Sequence, residues 1–264
     1  MPARLVIVGG GRMGEALVAG LLKSGWAQPA EVVVVEPMVT RRDELTARYA
    51  DVTVTAEPVA ADGAVVAVKP GDVEAACRSL QSVGVNRVLS IAAGVPLARL
   101  EEWLAPGCAV VRAMPNTPAL VGAGMAAVAG GRGAGDDDLA WAEGVLGAVG
   151  QVVRVPERLL DAVTGLSGSG PAYVFLVAEA LTEAGVLAGL PRDVSAALTT
   201  QTLLGAATLL AESTEGPEAL RAQVTSPGGT TAAGVRALEA HGVRRAFLEA
   251  VLAATRRSAE LGEA

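Results

Sequence analysis

The sequence predicts an α/β protein: a doubly wound sheet over residues 1–156, followed by an all-α dimerisation domain over residues 157–264. Three observations predict it. Four apolar residues, Leu5–Val8, run into the spacing Gly9-x-Gly11-x-x-Gly14 and then into a segment of helical period, Glu15–Leu22. Short β-branched runs alternate with helical stretches as far as Val155. Beyond Pro156 strong strand signals cease and helices follow one another to the end.

The first strand, turn and helix set the frame. A run of Leu, Val and Ile reads as a buried parallel strand. Glycine at 9 permits the tight turn, glycine at 11 lets a pyrophosphate approach the backbone, and glycine at 14 lets the helix pack on the strand. Free N–H groups of the helix start then face the phosphates. With 32 glycines in 264 residues the spacing alone is weak, and the strand-turn-helix context raises it to a Rossmann-type dinucleotide site. Val8, Gly9, Gly10, Gly11, Arg12, Met13 and Gly14 are its predicted cofactor contacts.

Glu31–Glu36 is predicted as a second buried strand ending in an acid. An acid there bonds the ribose hydroxyls of NAD and repels a 2′-phosphate. Arg12, Arg41 and Arg42 lie nearby in sequence and offer that phosphate a partner, so the residues leave NADH and NADPH both open. Further strands are predicted at 52–54, 62–70, 87–91, 109–114, 125–128 and 151–155, with helices at 73–80 and 136–149. Ligands of open parallel sheets bind at the carboxyl ends of strands. Ala67, Val68, Lys69 and Pro70 at one such end join the predicted cofactor site, as do Ala92, Ala93 and Gly94 at the next and Met114, Pro115 and Asn116 at a third.

In the second half, helices are predicted at 159–164, 171–188, 193–212, 217–224, 231–240 and 243–261. Several are apolar almost all round, as in Leu203-Leu204-Gly205-Ala206-Ala207. Such helices must be covered on every side. A second copy of the chain, related by a two-fold axis, is the predicted cover.

Composition narrows the function. Hydrophobic residues make up 51% and aromatics 3%, so Ala, Val and Leu build the core. A net charge of −7 without a basic patch argues against nucleic acid as a partner. Cys77 and Cys108 form neither a zinc pattern nor a disulfide framework, and no metal site is expected. The apolar stretch from 172 to 190 carries Glu179 and Glu183 and reads as a buried helix rather than a membrane span. Without a signal-like start, a cytoplasmic protein is expected.

The inventory also removes familiar proton donors. The sole histidine, His241, stands at a helix end, and the helical half contains no lysine. Tyr173 is followed four residues later by Val177, so no Tyr/Lys pair is present there. What remains is two loops rich in Gly and hydroxyls, Gly165–Tyr173 and Ser226–Thr231, each predicted to open a helix and present backbone N–H groups to a carboxylate.

At these residues the chain resembles the pyrroline-5-carboxylate reductases. The resemblance covers nearly the whole length, through Gly9–Gly14, Val68-Lys69-Pro70, Ala92-Ala93-Gly94, Met114–Pro118, Ser167–Tyr173 and the block from Val224 to Glu239, the last two being the most specific. It implies hydride transfer from NAD(P)H to the C=N carbon of 1-pyrroline-5-carboxylate, giving proline in the last step of proline biosynthesis. It implies that Gly228, Gly229 and Thr230 donate backbone N–H groups to the substrate carboxylate, with Ser226 nearby, and that Thr231 lies against the ring nitrogen as proton relay. Glu157 matches a family position near substrate. The resemblance further implies a homodimer through the helical domain, often assembled into a decamer. Glu36-Pro37-Met38 departs from the residues many members carry after the second strand, which puts the usual NADPH preference in question. Competing readings are a reductase of another cyclic imine or keto acid, and a non-catalytic NAD(P)-binding regulator.

Overall fold

The structure, a computed structural model, describes residues 3–263. Its sheet has eight strands: β1 (Leu5–Val8), β2 (Val32–Val35), β3 (Thr53–Thr55), β4 (Ala64–Val66), β5 (Arg87–Ser90), β6 (Ala109–Met114), β7 (Gly124–Gly130) and β8 (Gly150–Arg154). Their order is 3-2-1-4-5-6-7-8. The first six run parallel; β7 turns antiparallel to β6 and β8 runs parallel to β7. The chain starts at the middle of the sheet, winds outward to β3, then crosses back to place β4 on the other side of β1. That reversal between β1 and β4 is the switch point where doubly wound sheets bind ligands.

Every residue of β1, β2 and β4 is buried, as runs of Val, Leu and Ile demand when helices cover both faces. Alternation along the strands divides them. Val6, Val8, Val33 and Val35 face α3 (Val73–Ser82) and α4 (Leu97–Trp103), where Cys77, Leu80 and Leu100 are fully buried. Leu5, Ile7, Val32 and Val34 face α1 (Arg12–Lys23) and α5 (Asp136–Gly147), packed on Leu17, Leu21, Val145 and Leu146. α2 (Val39–Arg48) adds Leu45 to this second layer. Burial pushes the thiols of Cys77 and Cys108 up to about 12 and about 11, so both stay protonated as core residues.

Several predicted strands shorten. The run 62–70 yields only β4, because Ala67 onward bends away and Pro70 opens a 3₁₀ turn, Pro70–Asp72. Glu31 closes another 3₁₀ turn, Pro29–Glu31, and Glu36 lies just past β2. α4 was not expected from the sequence; its seven residues give too short a periodic pattern.

After β8 the chain is helical: α6 (Leu160–Val163), α7 (Gly170–Leu187), α8 (Arg192–Glu212), α9 (Pro217–Gln223), α10 (Thr230–Ala240) and α11 (Val243–Glu263). By contacts the chain divides into two compact units, one running to Ser169 and taking in the chain from Leu252 on, the other Gly170–Val251. Within the second unit α7 and α8 pack closely: Ser195 Oγ donates to the Thr182 carbonyl at 2.7 Å, and a Cβ on Gly185 would lie 2.1 Å from that hydroxyl. Their other sides are open. Leu176 is 65% exposed and Leu187 90%, with Leu198, Leu204 and Leu209 each more than half exposed. The run 157–187 and α8 are both long and apolar enough to cross a membrane by length and composition.

One sequence expectation is corrected here. Gly165–Tyr173 does lead into a helix with Pro171 in its first turn, α7, but its first half is not a loop. Residues Thr164–Gly168 form a π-turn that continues α6, and the Ser169 N–H bonds the Thr164 carbonyl at 2.8 Å. The N–H groups assigned to a carboxylate are thus spent within the helical run. The Thr164 and Ser167 hydroxyls are likewise turned back onto the Leu160 and Val163 carbonyls.

Candidate functional site

The glycine turn is shaped by contacts that exclude a side chain. A Cβ on Gly14 would lie 2.0 Å from the Gly9 carbonyl oxygen, so α1 starts against the end of β1 only if residue 14 has none. Gly9 takes φ +110°, and a Cβ there would lie 2.6 Å from the Ala67 carbonyl oxygen across the switch point. Gly11, the N-cap of α1, is exposed, with open space where a side chain would be. Two glycines therefore close the turn and the third leaves the helix start bare, which is the cradle a pyrophosphate requires. Arg12 is exposed at the same rim. Val8 is buried beneath it and Met13 half-buried.

Glu36 is buried against this turn. Its Oε2 accepts from the Gly10 N–H at 3.1 Å and its Oε1 from the Met38 N–H at 2.9 Å. Neither Arg41 nor Arg42 is a free cation. Arg41 donates from Nε to the Gly10 carbonyl and from Nη1 to Glu44, both at 2.8 Å, and from Nη2 to Glu15. Arg42 donates to the Glu36 and Pro37 carbonyls. Glu15 also holds Arg48. Burial pushes the Glu15 carboxyl up, but hydrogen bonds from Arg41 and Arg48 outweigh it and leave the group below the usual carboxylate range. Sequence reasoning missed Glu15, because its partners stand 26 and 33 positions away.

The other predicted cofactor residues fall at strand ends. Ala67 and Val68 are half-buried beyond β4, and Lys69 is the exposed N-cap of the Pro70–Asp72 turn. Pro70, Ala93 and Gly94 line a cleft of about 300 Å³ together with Thr164, Ser169 and Ser258. Ala92 lies buried beneath it. A larger depression of about 450 Å³ lies at the other end of α1 and contains none of the predicted residues.

Met114, Pro115 and Asn116 lead out of β6. Both ends of the Asn116 amide are used: Nδ2 donates to the Ser167 carbonyl at 3.1 Å and Oδ1 accepts from the Met125 N–H at 2.9 Å. Asn116 braces the chain between β7 and the π-turn. Glu157 is also engaged. Its Oε1 accepts from the Leu97 N–H at 2.7 Å and from Arg112 at 2.9 Å, capping α4 and neutralising an arginine whose side chain is 11% exposed. These contacts describe a structural clamp, and none of them indicates a substrate.

In the second unit, Ser226–Gly229 forms a tight turn. The Gly229 N–H bonds the Ser226 carbonyl at 3.1 Å, and Gly228 takes φ +70° after Pro227, as a type II turn requires. Gly229 is the N-cap of α10, an 11-residue helix whose first backbone bond is Ala233 N–H to Gly229. The N–H groups of Thr230 and Thr231 thus stand at a helix start, where an anion is favoured. Ser226 Oγ lies 2.4 Å from where a Gly229 Cβ would be, so this hydroxyl crowds the same backbone. Thr231 is half-buried, and Ser226, Gly228 and Thr230 are exposed. His241 caps the far end of α10, its Nδ1 2.8 Å from the Ala237 carbonyl, and is exposed as expected.

Residues 157–261 match the family model described as pyrroline-5-carboxylate reductase dimerisation, and residues 4–94 match one described as NADP oxidoreductase, coenzyme F420-dependent. A pyrroline-5-carboxylate reductase of Synechocystis is 49% identical over the full length of both chains. This chain belongs to the pyrroline-5-carboxylate reductase family. The enzyme of that name from Arabidopsis thaliana is 42% identical, with 97% of this chain and 94% of the relative covered. The solved structure of a pyrroline-5-carboxylate reductase from Coxiella burnetii superposes with a TM-score of 0.93 at 36% identity, covering 99% of each chain. That of Plasmodium falciparum, solved with NADP bound, gives 0.85 at 28% identity over 98% of each. As in the rest of the family, this chain is an NAD(P)H-dependent oxidoreductase, and its helical half mediates self-association.

Gly14→Ala is expected to cost at least about 2 kcal/mol of stability, because the new methyl meets backbone oxygen that cannot retreat. It is also expected to abolish cofactor binding, as urea denaturation and cofactor titration will show.

Proposed function

We propose that this chain reduces 1-pyrroline-5-carboxylate to proline, with NAD(P)H as hydride donor, and that residues 157–264 act as the substrate-binding and dimerisation domain. The observation that carries the reading is the turn Ser226–Gly229 with α10 behind it. It offers consecutive N–H groups, a hydroxyl and a threonine at one helix start, which suits a small carboxylate bearing an adjacent ring nitrogen.

The cofactor supplies the hydride to the C=N carbon. The chain holds the carboxylate on the N–H groups of Gly228 and Thr230, with the Ser226 hydroxyl beside them; the Gly229 N–H, expected from the resemblance to join them, is instead closed onto the Ser226 carbonyl and holds the turn. Thr231 passes a proton to the ring nitrogen, directly or from water. The proton that Thr231 relays from water makes the imine electrophilic, and hydride addition to its carbon then gives the ring amine, so the residues need only deliver that one proton and fix geometry. Positioning supplies much of the rate. This suits a helical half without lysine and with only an exposed helix-capping histidine.

At the other end of the cofactor, buried Glu36 accepts the ribose hydroxyls, and Arg41 and Arg42 are already bound elsewhere. This favours NADH over NADPH. The exposed apolar sides of α7 and α8 are covered by a second copy rather than by lipid, in a two-fold dimer that further assembles towards a decamer. The protein works in the cytoplasm.

Loss of nicotinamide absorbance on mixing the chain with NADH or NADPH and 1-pyrroline-5-carboxylate, with proline as product, tests the activity. Thr231→Ala is expected to lower kcat by about 10²-fold, the scale of a lost proton-transfer group, with cofactor Kd unchanged. Wild-type turnover in this variant would remove Thr231 from the mechanism. Glu36→Ala is expected to raise affinity for NADPH relative to NADH by about tenfold, the effect of removing one buried charge beside a phosphate. Titrations giving an unshifted ratio would place the ribose elsewhere.

A further inference from the structure

We propose that Glu15 is a second determinant, beside Glu36, of the choice between the two nicotinamide cofactors in this chain, acting as a positioning residue on Arg41 and Arg48. The inference rests on the reading of Gly9–Gly14 and Glu36 as the cofactor's phosphate and ribose site.

An acid in the first turn of α1 suits the helix dipole without any partner. Glu15 does more than that. Its side chain is only 16% exposed, and each carboxylate oxygen carries an arginine: Arg41 Nη2 on Oε2 and Arg48 Nη1 on Oε1. Arg41 shares a bonding partner with Glu36. Gly10 links the two groups, its N–H on the Glu36 carboxylate and its carbonyl on Arg41 Nε. The Arg41 guanidinium is therefore one peptide away from the acid that faces the ribose.

A 2′-phosphate is best recognised by an arginine fork with free donors. Every nitrogen of the Arg41 guanidinium is already engaged, by Gly10, Glu44 and Glu15. Of the two carboxylates, Glu44 is 65% exposed and its pair with Arg41 is screened by water. Glu15 is the one held in a partly desolvated position, so it fixes the fork away from a phosphate. Arg42 is tied by its Nη1 to the Glu36 and Pro37 carbonyls and has no carboxylate that holds it as Glu15 holds Arg41. Arg41 and Arg48 are thus held by carboxylates, whereas Arg42 bonds only carbonyls and Arg12 is exposed, so of the cations near the turn it is Arg41 whose fork Glu15 restrains.

The test measures equilibrium binding of NADH, NADPH, ADP and adenosine 2′,5′-bisphosphate to the full chain, without substrate. Glu15→Gln removes the charge that holds Arg41. It is expected to tighten NADPH and adenosine 2′,5′-bisphosphate by about tenfold, as one charge against a dianion across a partly screened gap implies, while NADH and ADP move less than about twofold. Adding Arg41→Ala to Glu15→Gln is expected to abolish the gain. Glu15→Asp keeps the charge with a shorter reach, and is expected to shift the NADPH/NADH ratio in the same direction by about threefold; it serves if Glu15→Gln does not fold. An unshifted ratio in the folded Glu15 variants, with a shift in Glu36→Ala, would overturn the role of Glu15 and keep the ribose site. Equal weakening of all four ligands would show a merely structural role and overturn it too. No shift in either Glu15 or Glu36 variants would overturn the ribose site and this inference together.

Discussion

The structure depends on one close approach: the Gly9 carbonyl oxygen against the α-carbon of Gly14. Backbone meets backbone there with no room for a methyl group. That contact sets how steeply α1 leaves β1, and so which face of α1 carries Leu17 and Leu21 into the core. It also aims the helix start, with bare Gly11 as its N-cap, at the space above β1 and β4. Gly9 adds the second constraint by resting on Ala67, which joins the two halves of the sheet at their switch point. The anion site is therefore a consequence of packing, and the same glycines serve stability and binding.

Around that turn the electrostatics are self-contained. Glu36 is buried but satisfied by two backbone N–H groups, so its charge is held in place without an arginine. The arginines nearby bond carbonyls and other carboxylates. The helical half follows the opposite logic. α7 and α8 spend their hydrogen bonds internally and leave leucines outward, a surface stable in water only when another apolar surface covers it. Family membership supplies the cover in kind, since residues 157–261 match a dimerisation domain.

Much of this was legible in the sequence, for physical reasons. The buried strands and the glycine spacing are local patterns, and β1, β2 and β6 fall where their apolar runs place them. The turn at Ser226–Gly229 was legible because Pro227 fixes φ at its second position and Gly228 can take the positive φ its third position needs. What was not legible depends on partners far apart in sequence. Gly165–Gly168 reads as loop because Gly and Ser favour loops, yet the helical segment before it runs on through Thr164–Gly168 as a π-turn. Asn116 reads as a ligand contact from its place at a strand end and Glu157 from the family resemblance, and the structure shows what else they hold: the Ser167 carbonyl and the Met125 N–H, the Leu97 N–H and Arg112. The antiparallel turn of β7 is likewise invisible in its composition.

The account stands or falls on how the ribose end of the cofactor is read, since that joins the glycine turn, Glu36 and the arginines in one site. The direct measurement is kcat/KM for NADH and for NADPH on the wild-type chain, side by side, with 1-pyrroline-5-carboxylate saturating. The account predicts a higher value for NADH. A higher value for NADPH would contradict it, because the 2′-phosphate would then have been accepted despite the buried carboxylate of Glu36 and the hold of Glu15 on Arg41.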